Sequence, residues 1–336
     1  MNAASPRVPL ASPMFKDRRT GLLVFGILEI LFGAMAAMMV PLMIFGQTMA
    51  ARAQQGEIPL RQLIPGAMVY LVAGGVLIGL GIGSCGQRRW ARALSLVVGW
   101  SWLAVGAISV VMMTVLLPRI LKASQPNGQQ MPGAVQLVAM VTALVFLAIF
   151  FIAVPAVLVF FYQSRHVKAT CEARSPAAWT DLCPLPLLTL CLWLGLGALM
   201  MLIVPLGSRG VIPLFGHLFS GPLGFACYAL IAFLWGFSAW LLFRLRPSGW
   251  WLALVTICVM TASAVFTLSQ IDLADMYRQM GYGEQQVQLI QQSGLLKAPG
   301  MPYLAFSGAI PLLVLLIVAK RFLRPQAGTL TGVSPG

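Results

Sequence analysis

The sequence predicts an all-α, polytopic integral membrane bundle of about eight transmembrane helices. Three observations carry this expectation. Of the 336 residues, 59% are hydrophobic and only 9% are charged, whereas a soluble domain carries about 25% charged residues. A chain so poor in polar side chains cannot cover a water-facing surface, and its mean hydropathy is +0.88. The apolar residues also fall in runs of bilayer length, since roughly 20 residues rising ~1.5 Å each cross about 30 Å of hydrocarbon.

Eight such runs occur, at 21–46, 65–85, 93–117, 135–162, 185–206, 222–243, 250–270 and 302–320. Each is expected to be helical, because lipid offers the backbone no hydrogen-bond partner. The first run follows a polar, basic stretch of twenty residues and no small-residue cleavage site comes after it, so it reads as an uncleaved span. The short segment 211–219, with Pro213 and His217, is expected to cap the sixth span or dip into the interface. Gln285 to Gln292 should form a surface helix with Val287 and Ile290 towards the bilayer.

Net charge is +14. The basic residues sit in short clusters between the apolar runs, where anionic headgroups and the insertion machinery read them, and this distribution does not suit nucleic acid. The side holding the N-terminus, the loops 86–92, 163–184 and 244–249 and the C-terminal tail has 15 Lys and Arg, against 7 on the other. That bias places both termini in the cytoplasm and the protein in the cell (inner) membrane. Arg88, Arg89 and Arg92 beside Trp90 read as a cytoplasmic anchor, and Trp250 and Trp251 as part of an interfacial belt.

A weak internal repeat organises the chain. Gly33-Ala34 and Val40-Pro41-Leu42 recur at an offset of 164 as Gly197-Ala198 and Val204-Pro205-Leu206. Trp90, Ala93 and Leu94 match Trp250, Ala253 and Leu254 at 160, and Ala153-Val154-Pro155 matches Ala309-Ile310-Pro311 at 156. The order is kept and the offset drifts slowly, as loop-length changes would produce. This predicts a four-plus-four duplication: an N-terminal tail 1–20, a first half 21–162, a cytoplasmic linker 163–184, a second half 185–320 and a tail 321–336. Four is even, so the halves would insert in parallel.

Within the spans, Glu29 stands out. It lies eight residues past Gly21, about 12 Å along the helix, where a charge is costly and an ionisable group suggests a proton- or cation-coupled site. The bland alternative is a neutral acid tying helices together through a Ser or Thr. Gly75, Gly79 and Gly83 share one helix face at a spacing of four, with Gly74 and Gly81 adjoining, and predict close approach of another helix. Pro155 and Pro311 occupy matching places and should kink the fourth and eighth spans, and interrupted helices at corresponding positions can mark a transport path. Pro41 and Pro205 are expected near helix ends.

In the linker, His166, Cys171, Asp181 and Cys183 could in principle hold a metal, but their spacing matches no standard zinc pattern. Trp179, Thr180 and Asp181 before Cys183-Pro184 better suit a helix start, as does Asp17 before the first span. The linker's Arg165, His166, Lys168 and Arg174 would meet anionic headgroups or a docked cytoplasmic partner. The run His166, Val167, Thr170, Cys171, then Trp179, Thr180, Asp181, Cys183, Pro184, Leu185 and Pro186 resembles a loop of uncharacterised bacterial multi-pass membrane proteins, H-V-x-x-T-C followed by W-T-D-x-C-P-L-P. The resemblance covers about 21 of the 336 residues. It implies a bacterial inner-membrane origin and carries no activity with it.

Enzyme signatures are missing. The chain has two His, at 166 and 217, and neither H-E-x-x-H, G-x-S-x-G nor a P-loop. All four Asp lie outside the spans, and no soluble cofactor is implied. The six cysteines include no C-x-x-C pair. Two functional expectations remain: a small-solute transporter or channel-like protein with its path between the halves, and a non-catalytic membrane sensor, scaffold or complex subunit that works through loop 163–184.

Overall fold

A computed structural model describes residues 16–54, 60–123, 133–292 and 301–323. In the first half, α1 is Arg19–Gln54, α2 is Ile64–Cys85 and α3 is Arg89–Ala123. A composite rod follows, made of α4 (Gly133–Ala148), a π-helical turn (Ile149–Ala153) and α5 (Val154–Gln163). The linker holds α6 (Arg165–Arg174) and a 3-10 turn, Trp179–Leu182. The second half comprises α7 (Leu185–Gly207), α8 (Gly221–Phe243) and α9 (Pro247–Gln270). It continues with the short α10 (Leu273–Met280) and α11 (Glu284–Gln292), then α12 (Met301–Lys320).

Seven helices among the described residues are long and apolar enough to cross a membrane, one for each of the first seven expected spans. At the eighth lies α12, whose segment Gly308–Lys320 counts as a shorter apolar helix. Large apolar side chains such as Met38, Phe146, Phe160 and Phe233 point outwards and are exposed. A water-soluble protein avoids such a surface, and a lipid-facing one requires it. The chain is a multi-pass membrane protein.

Glycine lets the first two helices touch. A Cβ on Gly26 would stand 2.7 Å from the Gly81 carbonyl oxygen, and one on Gly33 would stand 2.8 Å from that of Gly74. The antiparallel backbones therefore meet at two heights, two turns apart. This corrects the expected seam. Gly75 and Gly79 have open space where a Cβ would be, and Gly83 faces Trp90 and Ala91 of α3 instead. One residue of helix is about 100° of rotation, so Gly74 and Gly81, rather than Gly75 and its partners at spacing four, face α1.

Pro155 lies just past a π-helical turn in its rod. Proline lacks the N–H that would bond the carbonyl four residues back, and the rod opens there into the π turn Ile149–Ala153. The carbonyl concerned, that of Phe151, lies against Gly106 of α3, where no side chain would fit. Pro311 lies inside α12, which continues through it. Pro205 lies two residues before the end of α7, near a helix end as expected, whereas Pro41 lies within α1, which runs on for 13 residues past it.

Each half closes into a ring. In the first, α1 packs on α2, α2 on α3 and α3 on α5, and Phe161 of α5 returns to stack on Phe25 of α1 with ring centroids 4.0 Å apart. In the second, α7 packs on α8, α8 on α9, α9 on α12 and α12 on α7. Its core of Leu187, Leu190, Leu194, Leu242, Ile257 and Leu316 extends across to Val97 of α3. Helix α7 lies against both α2 and α3, and Trp193 Nε1 donates to Ser101 Oγ at 2.7 Å. The junction of the halves is thus packed with apolar side chains.

At the end of the bundle away from the linker, 211–219 forms a β-hairpin ahead of α8. Strand β1 (Ile212–Leu214) pairs antiparallel with β2 (His217–Phe219). The two-residue turn Phe215-Gly216 has positive φ at both positions, 47° and 79°, as a type I′ turn requires. Its two amides donate to Ser263 Oγ and Thr267 Oγ1 of α9, each at 3.0 Å. His217 is exposed on the hairpin.

Candidate functional site at the linker face

The linker folds back over the ends of the first-half helices. Arg18 N donates to Thr170 Oγ1 at 3.2 Å, and Arg174 pairs with Asp17 at 3.4 Å. Asp17 Oδ1 also accepts from Arg19 N at 3.0 Å, capping α1 at the residue expected to start it. Asp181 caps differently from expectation. Its Oδ2 accepts from Ala178 N at 3.0 Å and closes the 3-10 turn, while α7 begins behind Pro184 without a side-chain cap.

Beneath this strap is a pocket of about 450 Å³, lined by Arg89, Arg92 and Ala93 of α3, Lys168, Cys171 and Glu172 of α6, and Ala177, Thr180, Asp181, Cys183 and Leu185. The linker residues Cys171, Asp181 and Cys183 meet here. His166 and Trp179 do not: His166 is half-buried on α6, and Trp179 turns to Phe243 with ring centroids 6.3 Å apart. No group of three or more His, Cys, Asp or Glu among the described residues could hold a metal ion.

The pocket is charged on both sides but not evenly. Lys168 and Glu172 approach to 3.8 Å, one turn apart on α6. Arg89 stands 3.8 Å from Asp181 and donates through Nη2 to the Glu172 carbonyl at 2.8 Å. Arg92 bonds no carboxylate and donates through Nε to the Tyr162 carbonyl at 3.1 Å. Burial pushes the Cys171 thiol above its ordinary pKa, with the nearby Arg92 guanidinium pulling it partly back. Arg89 Nε and Thr180 Oγ1 are buried with no hydrogen-bond partner, although buried polar atoms are nearly always paired.

Arg92 leads through Tyr162 to the acid singled out by sequence. Glu29 is 4% exposed. Tyr162 OH donates to Ser84 Oγ at 2.8 Å, and Ser84 Oγ donates to Glu29 Oε2 at 3.1 Å. Ser95 Oγ approaches both Glu29 and Tyr162 without reaching good hydrogen-bond geometry. Four helices, α1, α2, α3 and α5, each supply one member. The depth differs from the helix-count expectation. Ser84 is the second-last residue of α2 and Tyr162 the second-last of α5, so the carboxyl group sits near the linker face. A side chain on a helix leans towards the N-terminus, which brings Glu29 back to that face.

Sequence reasoning missed several members. Arg89 and Arg92 were visible only as topological anchors, and Lys168 only as a headgroup contact. Ser84 and Tyr162 gave no signal, because a single hydroxyl at a helix end is common. No family model matches this chain, and comparison with curated proteins and with solved structures found no match. What can be said of its identity therefore rests on the chain itself: a multi-pass membrane protein with a charged pocket at its linker face above a sealed acidic relay.

Proposed function

We propose that this protein is a non-catalytic membrane sensor or adaptor that receives a ligand in the pocket under linker 163–184. The observation that carries the reading is the convergence of linker and α3 residues on one charged cavity with two unpaired donors. Arg92 connects that cavity to the core of the first half through Tyr162, and Tyr162 leads on through Ser84 to Glu29. A ligand that moved Arg92 would therefore disturb four helices at once. Transport between the halves draws less support, because Val97, Trp193 and Ser101 fill that junction and Glu29 is sealed within one half.

The four-plus-four duplication belongs to the same reading. The two halves share a neighbour order, first helix on second, second on third, third on fourth and fourth on first. Their second and third helices are also joined by the same turn. Arg88 N bonds Gly83 O past a left-handed Gln87, and Arg246 N bonds Leu241 O past a left-handed Leu245. Both termini and the linker then share the cytoplasmic side, as the basic clusters suggest.

Two measurements test the function. A photoreactive amino acid at Ala177, activated in cells, should give a discrete adduct that Arg92→Gln abolishes. In a cysteine-free background, Glu29→Cys should stay unlabelled by impermeant maleimides added from either side. A missing adduct at 177 would remove the sensor reading, and rapid labelling at 29 would restore transport.

A further inference from the structure

Building on the pocket reading, we infer that the linker-face pocket is a phosphodiester site, built for the singly charged phosphate of a glycerophospholipid headgroup or of its soluble counterpart. The charge inventory comes first. Three cations line the cavity, Arg89, Arg92 and Lys168, against two carboxylates, Glu172 and Asp181. Glu172 lies by Lys168, and Asp181 by Arg89. Among the described residues Arg92 hydrogen-bonds a backbone carbonyl and no carboxylate, and the lining as a whole carries one positive charge in excess. A phosphodiester carries one negative charge and balances it, whereas a dianionic monoester would overshoot.

The unused donors point the same way. Arg89 Nε and Thr180 Oγ1 both belong to lining residues, both are buried, and neither has a partner. Thr180 is only 4% exposed. Leaving such donors unpaired is unfavourable unless an acceptor arrives. Guanidinium forks and a hydroxyl are the donors that phosphate oxygens take, with geometry that an ammonium lacks. A cavity of about 450 Å³ exceeds what a bare phosphate needs and leaves space for a glycerol substituent. The place matches as well. The pocket lies where α2 ends and α3 begins, and the ends of spanning helices stand near the headgroups, where phosphodiester anions are concentrated.

The test uses the full chain in mild detergent, with thermal unfolding and native mass spectrometry as readouts. The added probes are phosphatidylglycerol, soluble glycerophosphoglycerol and diacylglycerol. Stabilisation by phosphatidylglycerol and not by diacylglycerol is expected, with Arg92→Gln and, separately, Thr180→Val weakening it about tenfold or more. Thr180→Val keeps the side-chain shape, so it guards against loss of fold in the Arg92 variant. A response to the lipid alone assigns a membrane source, and a response to glycerophosphoglycerol alone assigns a soluble one. Both keep the inference. Equal stabilisation by diacylglycerol, no response to either phosphodiester, or unchanged affinity in both variants overturns it. If the phosphodiesters fail while the Ala177 adduct persists, only the ligand class falls. If the adduct is absent too, the sensor reading falls with it.

Discussion

Ser84 accepts from Tyr162 and donates to Glu29, so deleting its hydroxyl strands two buried groups at once. Ser84→Ala should destabilise the protein by about 1–3 kcal/mol, read as a lowered midpoint of thermal unfolding in detergent. Glu29→Gln keeps the size and an acceptor for Ser84, and should change stability by less than about 1 kcal/mol. A larger loss from Glu29→Gln would show that the relay depends on the acid itself. The glycines offer a second contrast on one helix. Gly81→Ala drives a methyl into the backbone of Gly26 and should cost about 1–3 kcal/mol. Gly79→Ala enters open space and should be neutral, or stabilising by up to about 1 kcal/mol through helix propensity. Equal effects at 79 and 81 would contradict the observed seam. Composition exposed Glu29 because a lone acid in an apolar run is conspicuous. It did not expose the seam, because five glycines within ten residues of α2 fit several helix faces and only the partner's position selects one.

The long helices were legible in the sequence because each is an uninterrupted apolar run, and the connections between them less so. The turn from α8 to α9 holds Leu245 at φ 57° with its side chain 45% exposed. A left-handed conformation costs an L-residue roughly 1–2 kcal/mol that glycine avoids. Leu245→Gly should therefore stabilise the protein by up to about 1 kcal/mol after glycine's greater entropy in the unfolded state, read as a raised unfolding midpoint, and a fall would mean that the leucine side chain contributes more than its exposure suggests. The β-hairpin was hidden for a related reason. Pro213 argues against a strand, yet it lies in a short two-stranded ribbon, and the I′ turn beside it begins with Phe215 rather than the usual Asn or Gly. The pocket was legible only in its linker part. Cys171, Asp181 and Cys183 stood together in one motif, but Arg89 and Arg92 come from about 80 residues earlier, and only the fold places them beneath it.

Across the whole molecule, the two rings share one continuous apolar junction. Val97 joins the second half's core, α7 rests on α2 and α3, and Trp193 bonds Ser101. Such a junction should hold without the covalent link. Expressed as two chains cut between Pro176 and Ala177, the halves should co-purify as a stoichiometric complex, and separate elution would mean that the linker strap holds them together. The sequence matches at an offset of 164 suggest a passage between two halves, and they could not reveal that Trp193, which that offset aligns with Glu29, reaches across that junction to Ser101.

The hairpin at the far face has a consequence in time. Its turn amides at 215 and 216 find their acceptors 48 and 51 residues later in the chain. At ribosomal speeds of about 5–20 residues per second, roughly 2–10 s pass before Ser263 and Thr267 have been made. Until then the tip of the ribbon has no anchor in α9, which arrives as the late piece that fastens it.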